Sequence, residues 1–172
     1  MKVFLIGFMG CGKSAIGKML AEKMNIDFVE TDKLVETLVG KDIPSIFNFD
    51  GEKIFRKAEN EILDQLIQKP HKEIISTGGG MPCYFENMKL MNFFGTTIFL
   101  KRSVDDLYSI LQNDKKHRPL LSDQPDLKSA IETMLKKREG CYHLAKHIVE
   151  INLSESNSHV VDRIIQLLEG NL

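Results

Sequence analysis

The stretch Gly7-Phe8-Met9-Gly10-Cys11-Gly12-Lys13-Ser14 directly follows the apolar run at 3–6 and fits the spacing G-x-x-x-x-G-K-[ST]. Glycines so placed let successive backbone N–H groups converge on an anion with no Cβ in the way. A helix opening at Lys13 adds the partial positive charge of its N-terminus. Lys13 is then in reach of the β- and γ-phosphates of a nucleotide, and the Ser14 hydroxyl is a Mg²⁺ ligand. The alternative is a tight turn with an incidental lysine; a strand before and a helix after favour the phosphate loop. The loop signals nucleotide binding, and the phosphoryl acceptor must be read elsewhere.

Three further groups of residues could supply that acceptor chemistry. Glu30-Thr31-Asp32 ends a second apolar run, where Glu30 could hold Mg²⁺ through water and Asp32 could orient or deprotonate a hydroxyl. Asp32 could equally cap a helix beginning near Lys33. The run Ser76-Thr77-Gly78-Gly79-Gly80 closes a third apolar run and is either a flexible turn or bare backbone against which a ligand can lie. Arg56 and Glu59 are three residues apart in a helical stretch. They form an exposed ion pair, or Glu59 fixes the Arg56 guanidinium to grip a carboxylate. Arg138 admits the same two readings, solvated helix residue or anion clamp.

Positioning these groups requires a parallel sheet. Short apolar runs at 3–6, 26–30, 73–77, 96–100 and 147–151 alternate with helix-patterned sequence, which predicts a parallel sheet with covering helices. Residues that follow such strands gather at the carboxyl edge of the sheet, where ligands bind. Ile16, Met19, Leu20 and Met24 form the apolar stripe of the first helix; Ile54, Phe55, Ala58, Ile62, Leu66 and Ile67 form that of a helix over 51–67. From 112 to 119 there is no apolar residue before Pro119. Lys115, Lys116 and Arg118 make this insert a solvated linker or a cationic lid over a transferring phosphoryl group.

Composition narrows the partners. The 172 residues, 42% hydrophobic, suit one domain, and 23 basic against 24 acidic residues give a net charge of −1. That balance argues against nucleic acid or an anionic membrane and for a small-molecule substrate. Cys11, Cys83 and Cys141 are odd in number and widely spaced, so they read as free thiols in a cytoplasmic protein. Cys11, inside the loop, is a reactive thiol or a small filler.

The ordered set GFMGCGKS, ETD, GEKIFRKAE, STGGG and RPLL followed by REGCY resembles the shikimate kinases, from residue 3 to about 161. The resemblance implies a single P-loop kinase domain over 1–172, a three-layer α/β/α fold with a five-stranded parallel sheet, and a mobile lid over about 112–123. It further implies transfer of the γ-phosphoryl of ATP to the 3-hydroxyl of shikimate by a cytoplasmic monomer that uses Mg²⁺. By matching position, Gly10, Cys11, Gly12, Lys13, Ser14, Ala15 and Arg118 serve ATP. Lys13, Asp32 and Arg118 are catalytic. Asp32, Arg56, Arg138 and the backbone of Gly78, Gly79 and Gly80 bind shikimate, and Ser14 and Glu30 serve the metal. Two departures stand out: Glu30 replaces the first Asp of the usual Asp-x-Asp pair, and Leu111 or the polar residues after it match the arginine that often opens the lid. Gluconate kinase is the rival within the architecture, and GEKIFRKAE with STGGG favours shikimate. A guanine-nucleotide switch is opposed by the lack of an N-K-x-D motif.

Overall fold

The structure, a computed structural model, describes residues 1–112, 119–122 and 125–170. β1 (Lys2–Ile6) is buried at every position, as befits a strand covered on both faces. Its side chains leave alternately to opposite sides: Val3 and Leu5 enter one apolar cluster, Phe4 and Ile6 the other. With β2 (Asp27–Glu30), β3 (Glu73–Ser76), β4 (Thr96–Lys101) and β5 (His147–Glu150) it forms a five-stranded sheet of order β2-β3-β1-β4-β5, parallel throughout. The five apolar runs are the five strands, with ends shifted by a residue. Lys2 breaks the apolar pattern of β1. Its ammonium pairs with Glu73, its register partner on β3, at 2.6 Å, and both side chains are buried.

The helices in chain order are α1 (Lys13–Met24), α2 (Thr31–Val39), α3 (Ile43–Ser45) running into a π-turn (Ile46–Asp50), α4 (Glu52–Gln68), α5 (Asn87–Phe94), α6 (Val104–Leu111), α7 (Pro119–Ser122), α8 (Leu127–Tyr142) and α9 (Asn157–Glu169). Ile16 and Leu20 of α1, Leu107 of α6, Ile131 of α8 and Val160 of α9 cover one face of the sheet. Val35 of α2, Ile62 of α4 and Met91 of α5 cover the other, giving three layers. α8 serves both faces, since Tyr142 at its end belongs to the second cluster. Gly17 lets α1 lie close to the sheet: a Cβ there would stand 2.6 Å from the Phe28 ring.

Two helix readings need correction. Ile54 is largely exposed, and Leu63 takes its place on the buried stripe of α4; Gly51, at φ 81, precedes the helix. Of the α1 stripe, Met19 and Met24 are only half-buried, because Gly17 and Ala21 bring the adjoining face inward. Among the described residues no helix is long and apolar enough to cross a membrane. The proposed lid residues Lys115, Lys116 and Arg118 lie outside the described residues.

Candidate active site

β1, β2 and β3 end at the same edge of the sheet, and the segments that follow them meet there. After β1 the chain turns through Gly7, Gly10 and Gly12, all at positive φ, into α1. A side chain at Gly10 would also have to displace Leu111, because its Cβ would lie 2.9 Å from a Leu111 methyl. Lys13, almost fully buried, folds back on the loop and donates to the carbonyls of Gly7 at 2.9 Å and Phe8 at 3.0 Å. Cys11 is fully buried with its Sγ 3.8 Å from the Lys13 ammonium, packed inside the loop as a filler.

After β2 the helix starts two residues earlier than a cap at Asp32 requires. Thr31 is the first residue of α2 and Glu30 the extended residue before it, so Asp32 sits in the first turn. Its carboxylate is therefore not the N-cap. Burial pushes the Glu30 pKa up, but hydrogen bonds from Ser14 and Lys33 and the Lys33 charge outweigh it, and the net direction is down. Glu30 thus stands ionised against the Ser14 hydroxyl.

After β3 the glycine run is fixed from both sides. The Gly78 N–H donates to the buried Thr31 hydroxyl at 2.9 Å and is thereby engaged within the protein. The Gly79 carbonyl accepts from the Tyr142 hydroxyl at 2.5 Å. Burial raises the Tyr142 pKa, which keeps that donor protonated. The sequence gives neither Thr31 nor Tyr142 a role, although Thr31 lies within ETD and Tyr142 ends REGCY.

Arg56 and Glu59 do not form an exposed pair. Arg56 is 4% exposed and Glu59 1%. The Arg56 guanidinium donates Nη1 to Glu59 Oε2 at 2.6 Å and Nε and Nη2 to Glu52 Oε1 at 3.0 and 2.7 Å. It also lies between the rings of Phe55 and Tyr84, at 5.1 and 4.4 Å. Three of the five guanidinium N–H bonds are so engaged among the described residues, which leaves two to meet an anion. Arg138, also buried, has an Nη1 atom without a hydrogen-bond acceptor, the condition a bound carboxylate would relieve.

Gly78 holds two carboxylates together. A Cβ on it would lie 2.5 Å from Glu59 Oε1 and 2.7 Å from Asp32 Oδ1, so both oxygens converge on one point. Gly78→Ala is accordingly expected to displace both and lower kcat/KM for the acceptor about 30-fold, read by steady-state kinetics. Burial dominates the Glu59 environment and, with the Asp32 charge, outweighs the Arg56 attraction, raising its pKa from 4.5 to about 7. An acid raised on folding holds its proton longer when native, so stability falls as pH rises from about 4.5 to about 7. Glu59→Gln should flatten this slope, worth on the order of 3 kcal/mol, in thermal melts across that window.

Two cavities open on these residues. One, of about 290 Å³, is lined by the phosphate loop, Ser14, Glu30 and Thr77. The other, of about 360 Å³, has Arg56, Arg138, Glu59, Ile43, Phe47 and Phe55 in its wall. Asp32, Met9 and Gly79 line both.

The sequence pattern of the shikimate kinases matches residues 9–169. The chain belongs to the shikimate kinase family. The shikimate kinase of Azobacteroides pseudotrichonymphae is 44% identical over 158 residues, 91% of this chain and 93% of that protein. The structure of the shikimate kinase from Acinetobacter baumannii in complex with shikimate superposes with a TM-score of 0.92 at 29% identity, covering 99% of this chain and 93% of that one. A gluconokinase from Sinorhizobium meliloti reaches a TM-score of 0.57 at 16% identity, over 99% of this chain and 96% of that one, a likeness of fold alone. Within the shikimate kinase family the chain is a P-loop kinase, and ATP is its co-substrate.

Proposed function

We propose that this protein transfers the γ-phosphoryl group of ATP to the 3-hydroxyl of shikimate, giving shikimate 3-phosphate and ADP, a step of aromatic amino acid biosynthesis. The observation that carries the mechanism is the position of Asp32, a carboxylate shared by the phosphate-loop cavity and the arginine-lined cavity. A hydroxyl bound in the second cavity beside Asp32 is aimed at the first, where the triphosphate lies.

In this reading the free N–H groups of Arg56 and Arg138 take the shikimate carboxylate, and the apolar side chains of Ile43, Phe47 and Phe55 take the carbocycle. Asp32 accepts the hydroxyl proton as the oxygen attacks. Lys13, released from the Gly7 and Phe8 carbonyls, turns to the β- and γ-phosphates, with Gly10, Cys11, Gly12 and Ala15 supplying backbone around them. Arg118 is the lid arginine that meets the developing charge.

Mg²⁺ fits the Ser14 and Glu30 pair. Two hard oxygens already hydrogen-bonded to each other beside the loop suit an ion that keeps waters and phosphate oxygens as its other ligands. Bound there, it would neutralise charge on the phosphates. Ser14 would hold it directly and Glu30 through water. The reading extends to one kinase domain over 1–172, monomeric and cytoplasmic, supported by near-neutral charge and three free cysteines.

The test is ADP release from Mg²⁺ and ATP with no acceptor, with shikimate and with gluconate. Release that needs shikimate is expected. Release with gluconate would overturn the substrate, and release with neither would overturn the kinase reading.

A further inference from the structure

Cys83 and Cys141 lie far apart in the sequence and together in the fold. Cys83 ends the single 3₁₀ turn (Met81–Cys83) that follows the glycine run, and its N–H donates to the Gly80 carbonyl at 2.9 Å. Cys141 lies in the last turn of α8, which packs against that 3₁₀ turn. Both side chains rest half-buried on the same apolar cluster, and the two thiols are hydrogen-bonded to each other. Small solutes can therefore reach a thiol pair that already has bonding partners in place.

The joint they span carries the acceptor site. On one side are Gly79 and Gly80; on the other, Arg138 is one turn from Cys141 and Tyr142 is its neighbour, holding the Gly79 carbonyl. Nothing in the phosphoryl-transfer mechanism uses either sulfur.

We propose that Cys83 and Cys141 are a redox modification site, forming a reversible disulfide with a hydroperoxide as oxidant and thereby weakening shikimate binding. The hydrogen bond from Cys83 lowers the Cys141 pKa, which makes Cys141 the attacking thiolate. It attacks one peroxide oxygen; the O–O bond breaks and hydroxide leaves, taking a proton to become water, while sulfur becomes sulfenic acid. Cys83 then attacks that sulfur, the S–O bond breaks, and a second water leaves. Two thiols lose two electrons and hydrogen peroxide is reduced to two waters.

Bringing the sulfurs from hydrogen-bond to bonding distance draws α8 toward the 3₁₀ turn. The glycine run has little room to yield, since a Cβ on Gly79 would already lie 3.3 Å from the Met9 backbone nitrogen. The movement falls on α8 and carries Arg138 out of register with the site. Phosphate-loop residues stand on the other side of the glycine run and keep their places.

The disulfide itself is independent of the proposed activity; only its kinetic consequence rests on shikimate as substrate. The experiment treats the full chain with hydrogen peroxide, maps peptides by mass spectrometry without reduction, and measures KM for shikimate and for ATP before oxidation, after it, and after dithiothreitol. Expected are a peptide pair joined through Cys83 and Cys141, a shikimate KM raised about fivefold or more with the ATP KM within about twofold, and full recovery on reduction. Cys83→Ser and Cys141→Ser should each show unchanged kinetics before oxidation and form no cross-link, and Cys141→Ser, which lacks the attacking thiolate, should keep its shikimate KM under peroxide. Absence of the cross-link, a cross-link that leaves the shikimate KM unchanged, or an equal loss in Cys141→Ser, which would assign the sensitivity to another thiol, overturns the proposal.

Discussion

Asp32→Asn is expected to lower kcat about 10³-fold while leaving ATP affinity within about twofold, since a positioned general base contributes about 10²–10⁴. The substitution keeps the size of the side chain and removes its negative charge together with its ability to take a proton. Because Asp32 is in the first turn of α2 and is not its N-cap, the helix keeps its start. The phosphate loop is held by its own glycines and by the Lys13 ammonium on the Gly7 and Phe8 carbonyls. Stopped-flow or steady-state turnover with saturating shikimate, paired with nucleotide titration, separates the two quantities. A kcat within about threefold of the parent would remove Asp32 from the role of base.

Arg56→Ala is expected to lower kcat/KM for shikimate about 10³-fold with KM for ATP changed less than about threefold, as expected for truncating one partner of a buried, hydrogen-bonded charge pair. The arginine is held by Glu52, Glu59, Phe55 and Tyr84, so its geometry is fixed before any substrate arrives. Removing it also strands Glu59, whose carboxyl is driven toward the neutral form by burial. Arg56→Lys should recover little, because an ammonium cannot reproduce the planar fork that faces a carboxylate. The ATP constant serves as the control for folding. Equal loss toward both substrates would make Arg56 a structural residue.

Much of this site is legible in the sequence because its parts are local. A strand, a glycine loop and a helix in sequence define the phosphate site at residues 7–14, and the three-residue spacing of Arg56 and Glu59 puts them on one helix face. What spacing cannot express is depth. Arg56 and Glu59 read equally well as a solvated pair until α4 is laid against the sheet, where Phe55, Ile62 and Leu66 turn that face inward. The convergence of Asp32 and Glu59 around Gly78 joins three segments through tertiary packing, and no local pattern encodes it. Thr31 was passed over for its acidic neighbours, yet its hydroxyl ties the end of β2 to the glycine run. The wall formed by Ile43 and Phe47 comes from a helical turn and π-turn whose Pro44 and scattered apolar residues carry no clear period.

The Lys2–Glu73 pair has a meaning for how the chain finds this arrangement. β1 and β3 are both fully buried and, apart from these two residues and Ser76, wholly apolar, so neighbouring alignments of the two strands offer similar apolar contact. Only in the native alignment do the ammonium and the carboxylate meet; a slip leaves both charges stranded in the interior, at a cost of several kcal/mol each. The pair works as an address for strand docking between residues 71 positions apart. Since Gly7 and Thr77 follow directly from these two strands, the same address sets the height at which the phosphate loop and the glycine run face one another.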